Sequence, residues 1–235
     1  MRPTTKTNPS VMCGRYTLIE SDENLEAWFD AVMEEVEEYG PNYNVAPTHN
    51  MPVVGQNREG QQTIQQFRWG LLPFWAKDKK VGYSMINARA ESVDTKKSFK
   101  RSFERYRCLI PASGFYEWKG EKGNKTPYYI HPTHEPMFAF AGLYNVWKSP
   151  EGEKIPTYSI ITTDANQKMK DLHDRMPAML LKEEWNEWLD PDNHNTQALK
   201  ELLNPFPDDA IDYYQVSKAV NSVKNNSEEL LEQVT

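Results

Sequence analysis

The sequence predicts an α+β fold, a single domain with a mainly antiparallel, barrel-like β core and peripheral helices. Three observations lead there. Short runs rich in β-branched and aromatic residues recur at regular spacing, with hairpin signals between them. Helical periodicity is confined to a few short segments outside those runs. The 235 residues are enough to bury a substantial core, and 7 Trp, 12 Tyr and 9 Phe supply large side chains to fill it. No internal repeat breaks the chain into smaller units.

Residues 1–12, MRPTTKTNPSVM, are polar and lack an apolar h-region, so they are no secretory signal. They read as a disordered leader, an over-called start codon or a cloning remnant that is removed or never translated. Ser21 reads as an N-cap, with Asp22 and Glu23 in the first turn of a helix. Leu25, Trp28, Phe29, Val32, Met33 and Val36 continue it at helical spacing to about Glu38, before Gly40-Pro41. Tyr43-Asn44-Val45-Ala46-Pro47 is an extended connector, because a residue before proline avoids the α region. Strands are predicted over 52–56 and 63–69, joined by a turn at 57–60. Gly70 to Trp75 form an aromatic loop without periodicity.

A short helix is expected over 98–105, then strands over 107–110, 114–118, 127–131, 137–147 and 157–163. A Gly/Lys-rich hairpin occupies 119–125. Asp164 is placed as the cap of a short helix reaching Leu172. A strand follows over 179–181, helices over 183–189 and 196–203, and a last strand over 211–216. Residues 13–225 make the domain, and 226–235 read as a polar tail rich in Asn, Ser and Glu.

Composition narrows the function. No stretch approaches membrane-spanning length. The 2 cysteines, Cys13 and Cys108, stand far apart without an export signal, which fits free thiols in a reducing cytoplasm. No cysteine–histidine zinc spacing exists; His131 and His134 flank Pro132 and read as a surface turn, so no metal site is predicted. The net charge of −7 argues against indiscriminate nucleic-acid binding. Its distribution is uneven. Residues 20–38 carry nine acidic side chains and no basic one, whereas 87–107 hold Arg89, Lys96, Lys97, Lys100, Arg101, Arg105 and Arg107.

Four polar islands interrupt the apolar pattern: Cys13-Gly14-Arg15, Asn87-Ala88-Arg89, Gly114-Phe115-Tyr116-Glu117-Trp118 and Leu172-His173-Asp174-Arg175-Met176-Pro177. Cys13 follows Met12. With Met12 gone, its amine and thiol sit on adjacent carbons and can trap an aldehyde as a five-membered thiazolidine, which an internal cysteine cannot do. Glu117, between aromatics, should have a raised pKa and exchange protons near neutrality. His173, flanked by Asp174 and Arg175, fits a proton shuttle. Each group also has a plainer reading: a packed cysteine, a carboxylate facing water, a satisfied structural histidine.

The islands, in order, resemble the SRAP family, the SOS response-associated peptidases that act as abasic-site processing proteins. MCGRY, YNVAP, RWGLLPFW, INARAE, FYEW, HDRMP and AVNSVKN carry the resemblance across nearly the whole chain after Met12. It implies that Cys13, as first residue, attacks the ring-opened aldehyde of an abasic site in single-stranded DNA. The amine forms a Schiff base and the thiolate closes the ring. Glu117 then acts as acid and base, His173 as second shuttle and aid to reversal, and Asn87 as the group orienting sugar and amine. The Schiff-base step also allows a weak β-lyase side reaction.

The same resemblance implies phosphate contacts from Arg15, Arg89, Lys100 and Arg101, and stacking by Phe74 and Trp75 on the bases beside the lesion. Some bacterial members carry two tryptophans where this chain has Phe74-Trp75. The implied protein is a cytoplasmic monomer, nucleoid-associated on damaged DNA, without cofactor, metal or membrane partner. Self-processing before Cys13, or initiation at Met12 and loss of that residue, must free the amine; initiation at Met12 is the favoured route. Two rivals are a papain-like cysteine peptidase acting on other proteins and a non-catalytic reader of modified DNA bases.

Overall fold

The computed structural model describes residues 13–34, 36, 40–57, 59–121 and 123–234. Strand β1 (Tyr16–Leu18) leads into helix α1 (Asp22–Phe29) and β2 (Ala31–Met33). Then come β3 (Asn42–Val45), β4 (Asn50–Gln56), β5 (Gln62–Trp69), β6 (Asn87–Arg89) and helix α2 (Lys100–Arg105). The second half holds β7 (Arg107–Ala112), β8 (Gly114–Lys119), β9 (Thr126–Pro132), β10 (Phe138–Lys148), β11 (Lys154–Asp164) and β12 (Arg175–Pro177). Helices α3 (Trp185–Leu189) and α4 (Thr196–Glu201) and strand β13 (Ile211–Gln215) close the chain.

Strands β11, β10, β7, β4 and β5 pair in sequence, and β11 returns to β5, so five strands close a barrel. Every pairing around it is antiparallel except the closing β11–β5 pair. Closure removes the unpaired edges that an open sheet would leave. A second sheet, ordered β13-β9-β8-β1-β3, carries the N-terminal residues. Its inner face packs Tyr16 and Phe115 against Phe140 of the barrel. The buried Tyr16 and Tyr158 hydroxyls satisfy each other at 2.8 Å, as buried polar groups must. Among the described residues no helix is long and apolar enough to cross a membrane.

Four predicted elements differ. Helix α1 stops at Phe29, not Glu38. Asp30 takes a left-handed conformation, φ 48°, and its N–H closes on Glu26 O. Val32 and Met33 fit helical spacing equally well, but here they join β2, parallel to β5. The predicted positions 35, 37 and 38, with 58 in the turn, 122 in the hairpin and the whole leader 1–12, lie outside the described residues. Asp164 ends β11 and caps no helix; Asn166 instead accepts the Met169 amide of a single 3₁₀ turn, Met169–Asp171. The strand predicted over 179–181 reduces to one bridge between Phe140 and Met179, while the neighbouring strand is β12. His131 belongs to β9, half-buried against Tyr129 and Tyr214, rather than to a surface turn.

The polar segment beyond 225 folds back. Leu230 is buried with Tyr116, Tyr129, Val216 and Val220, and Val216 bridges Gln233. Asn44 holds the approach to it. Its amide donates to Val220 O at 3.3 Å, Ser222 O at 3.0 Å and Asn225 O at 2.9 Å. Its oxygen accepts from Arg15 at 2.8 Å. A buried side chain with this many partners leaves several groups unsatisfied when removed. Asn44→Ala should therefore lose about 2–3 kcal/mol of unfolding free energy in urea. Limited proteolysis should show new cleavage after residue 216; unchanged cleavage there would show that Asn44 does not hold the segment.

Candidate active site and nucleic-acid interface

Strands β1 and β8 run antiparallel, Tyr16 opposite Phe115 and Thr17 opposite Gly114. That register carries Cys13, three residues before Tyr16, towards Glu117. Gly114 permits the close approach, because a Cβ there would run into the Tyr129 hydroxyl, itself bonded to Thr17 at 3.0 Å. Cys13 N–H donates to Glu117 Oε2 at 3.3 Å, and Trp118 N–H to Glu117 Oε1 at 3.2 Å. Cys13 and Glu117 are buried, 1 % and 4 % exposed. Cys13 also takes a left-handed backbone conformation, φ 40°, which costs a non-glycine residue on the order of 1 kcal/mol. Strain of this kind clusters at functional sites.

Electrostatics follow from burial. Desolvation raises the Glu117 pKa above the ordinary carboxylate value; the neighbouring His173, the Trp118 and Cys13 amides and Lys125 oppose the rise. Burial, and then the Glu117 charge, push the Cys13 thiol well above its usual range, so at neutral pH the sulfur is protonated. His173 is mostly buried, with its side chain 12 % exposed. Its Nδ1 accepts the Arg175 N–H at 3.1 Å when neutral and faces Asp174 Oδ1 at 2.9 Å when protonated. The neutral ring accordingly carries its proton on Nε2.

The second polar wall is built on β11. Parallel β6 sets Asn87 opposite Ile160 and Arg89 opposite Thr162, and β12 pairs on the other side, Arg175 opposite Asp164. Asn87 is half-buried on this strand and Arg89 is exposed. Arg175 is buried and spans the wall: it pairs with Glu91, with Asp164 at 2.7 Å, and with Thr162 O at 2.7 Å. It therefore braces the strand that begins at Asn87 and the turn that carries His173 against β11.

The predicted DNA-contact residues divide. Phe74 and Trp75 are exposed, 59 % and 39 %, and the Arg101 guanidinium lies 5.4 Å from the Phe74 ring centroid. Lys100 is exposed on α2. Arg15 is half-buried, held by Asn44 and by Val220 O at 2.9 Å, beside Asn221 O at 3.5 Å. Arg107, read as part of the basic run, is a correction. It is 4 % exposed and donates to Trp188 O at 2.7 Å and Phe103 O at 2.9 Å. Burial lowers its pKa to about 10. The sequence did not single out Asn44, Lys125 or His49. Asn44 reaches Arg15, Lys125 acts on Glu117, and burial followed by the Arg15 charge lowers the His49 pKa. Among the described residues no group of three or more His, Cys, Asp or Glu could hold a metal ion.

A family model described as SOS response associated peptidase matches residues 12–223. The chain belongs to this family. It is 47 % identical over 224 residues to the abasic site processing protein YoqW of Bacillus subtilis, covering 94 % of this chain and 99 % of that one. It is 34 % identical over 224 residues to the abasic site processing protein HMCES of Gallus gallus, covering 82 % and 66 %. A crystal structure of a Bacteroides thetaiotaomicron protein superposes with a TM-score of 0.86 at 29 % identity, over 95 % of this chain and 100 % of that one. That family's fold, with its mostly antiparallel closed barrel, is the one described above.

The raised Glu117 pKa makes a linkage prediction. A carboxyl raised in the folded state favours folding below its unfolded pKa of about 4.3, and that contribution is lost as pH rises through the folded value. The stability of the wild type relative to Glu117→Gln should thus fall as pH rises above about 4 and level off once the folded carboxyl has ionised, in urea titrations. A difference that rose with pH would mean the folded pKa is lowered.

Proposed function

We propose that this protein recognises abasic sites in single-stranded DNA and captures them covalently through Cys13. The observation that carries the reading is the buried 3.3 Å contact between the Cys13 nitrogen and the Glu117 carboxylate, in a chain whose relatives YoqW and HMCES are abasic site processing proteins. With Met12 in place the Cys13 nitrogen is a peptide nitrogen, its lone pair delocalised and unreactive. The chemistry requires that bond to be broken, either by removal of an initiating Met12 or by self-cleavage that consumes one water.

The freed amine adds to the C1′ aldehyde of the ring-opened sugar. The carbinolamine loses its hydroxyl as water, with the proton supplied by Glu117 or His173, leaving an iminium beside the Glu117 carboxylate. The Cys13 sulfur, protonated because it is buried, gives its proton to Glu117 as it attacks the iminium carbon. One C–N and one C–S bond form at that carbon, one water leaves, and nothing is oxidised or reduced. Asn87 orients the sugar hydroxyls and the amine. Arg15, Arg89, Lys100 and Arg101 serve phosphates, and Phe74 and Trp75 stack on the bases flanking the lesion. The work is done in the cytoplasm, at the nucleoid.

A peptidase built on a thiolate–imidazolium pair needs a depressed thiol pKa, whereas burial and Glu117 push Cys13 the other way. This weighs against general proteolysis.

The test uses single-stranded DNA with one abasic site, analysed on a denaturing gel. Protein beginning at Cys13 should give a shifted band without reductant. Cys13→Ala and a version retaining residue 12 should give none. Glu117→Gln should slow band formation by about 10²- to 10⁴-fold. A band of wild-type strength from Cys13→Ala would overturn the mechanism.

A further inference from the structure

Once the bond before Cys13 is broken, residue 13 hangs from the chain by its carboxyl side alone. Gly14 has no side chain to hold it, so Arg15 is the first residue whose side chain can anchor the new terminus. Its backbone is tied to β8, where the Tyr116 N–H donates to Arg15 O at 3.0 Å. Its guanidinium is tied to the far end of the chain. Nη1 donates to Asn44 Oδ1 at 2.8 Å and to Val220 O at 2.9 Å, and Nη2 lies 3.5 Å from Asn221 O.

The other half of the site leads to the same place. Glu117 Oε1 accepts the Trp118 N–H at 3.2 Å, and the Trp118 indole Nε1 donates to Asn221 Oδ1 at 2.8 Å. An indole nitrogen only donates, so the amide oxygen of Asn221 is the atom that must face it. Asn221 thus meets a neighbour of each reactive group, Arg15 through its backbone oxygen and Trp118 through its side chain.

The turn that carries Asn221 is fixed by contacts outside the reactive pair. It is a single 3₁₀ turn, Lys218–Asn221, capped by Ser217 Oγ, which accepts the Ala219 N–H at 3.2 Å. Val220 is buried with Tyr116, Tyr129, Val216 and Leu230. The Asn225 amide donates to Ala219 O at 2.8 Å, and Asn44 holds Val220 O and Ser222 O. A fixed turn that grips the residues beside both reactive groups sets the spacing between them. Cys13, at φ 40°, needs such a frame, because a strained residue keeps its conformation only where its surroundings over-determine it.

We propose that Asn221 is a positioning residue for the capture reaction: it couples Trp118 to the turn that holds Arg15, and so keeps the freed Cys13 amine within reach of Glu117. This role rests on the capture chemistry proposed above and adds the C-terminal segment to it.

The test mixes protein beginning at Cys13, in excess, with single-stranded DNA carrying one abasic site. It follows the crosslinked band over time at increasing protein concentration. Asn221→Leu keeps the shape but loses the acceptor. It should lower the maximal rate about 10- to 100-fold and leave the half-saturating concentration within about twofold, as a small misplacement of reacting groups does. Asn221→Asp keeps an oxygen at the indole and should react within about twofold of wild type. Trp118→Phe removes the donor from the other side of the same bond and should slow the reaction to a similar extent; the double variant should be no slower than either. Exchange of the Trp118 indole proton, read by NMR, follows the bond without any chemistry. It should be slow in wild type and Asn221→Asp and about tenfold faster in Asn221→Leu. A slowly exchanging indole proton in wild type that forms no crosslink would remove the capture chemistry and leave the coupling of Trp118 to the turn standing. A wild-type maximal rate in Asn221→Leu, or a loss confined to the half-saturating concentration, would overturn the positioning role.

Discussion

A carboxylate without water is costly unless its oxygens are occupied, and Glu117 is the buried carboxylate around which this molecule is arranged. Two backbone amides reach its oxygens, from Trp118 on its own strand and from Cys13 across the sheet. The neighbouring His173 and then Lys125 oppose the rise that burial gives its pKa. Cys13, the partner from across the sheet, is also the proposed reactive centre. Burial raises both the Glu117 carboxyl and the Cys13 thiol above their ordinary values, so both groups lean to their neutral forms where one proton must move.

Keeping that match requires a frame, and the frame is made from the same sequence islands that carry the chemistry. Arg175 binds Glu91, so the strand bearing Asn87 and the turn bearing His173 are braced against β11 by one guanidinium. Trp69 reaches Ile86, tying the aromatic platform to Asn87. Asn44 gathers Arg15 and the C-terminal segment, and the Trp118 indole donates to Asn221 at 2.8 Å. A motif in this chain is thus half reagent and half joinery, which explains why the islands are longer than the reactive side chains alone require.

The strands of the barrel were legible because their signal is local: alternation, β-branching and turn residues between runs. Glu117 was legible for the same reason, as an acid inside an apolar strand. What could not be read depended on partners far along the chain. The helical spacing of Leu25 to Val36 does not reveal that β5 offers Ala31–Met33 a parallel edge. Asp164 looks like a helix cap until Arg175 claims its carboxylate. Arg107 looks like one more phosphate ligand until four backbone carbonyls from Phe103, Trp188, Asp190 and Asn193 surround it. Asn44 gives no local sign of its role, because its partners lie more than 170 residues downstream.

The central claim is that nitrogen and sulfur of one residue act together on one carbon. Peptide mapping by mass spectrometry tests it most directly, on protein incubated with abasic single-stranded DNA, digested with nuclease and protease, and never exposed to reductant. The account predicts a sugar remnant on the peptide that begins with Cys13, its mass one water below the sum of the two parts, and an alkylation reagent that finds no free thiol there. A remnant on a lysine, or on Cys108, with the Cys13 thiol still open to alkylation, would contradict it.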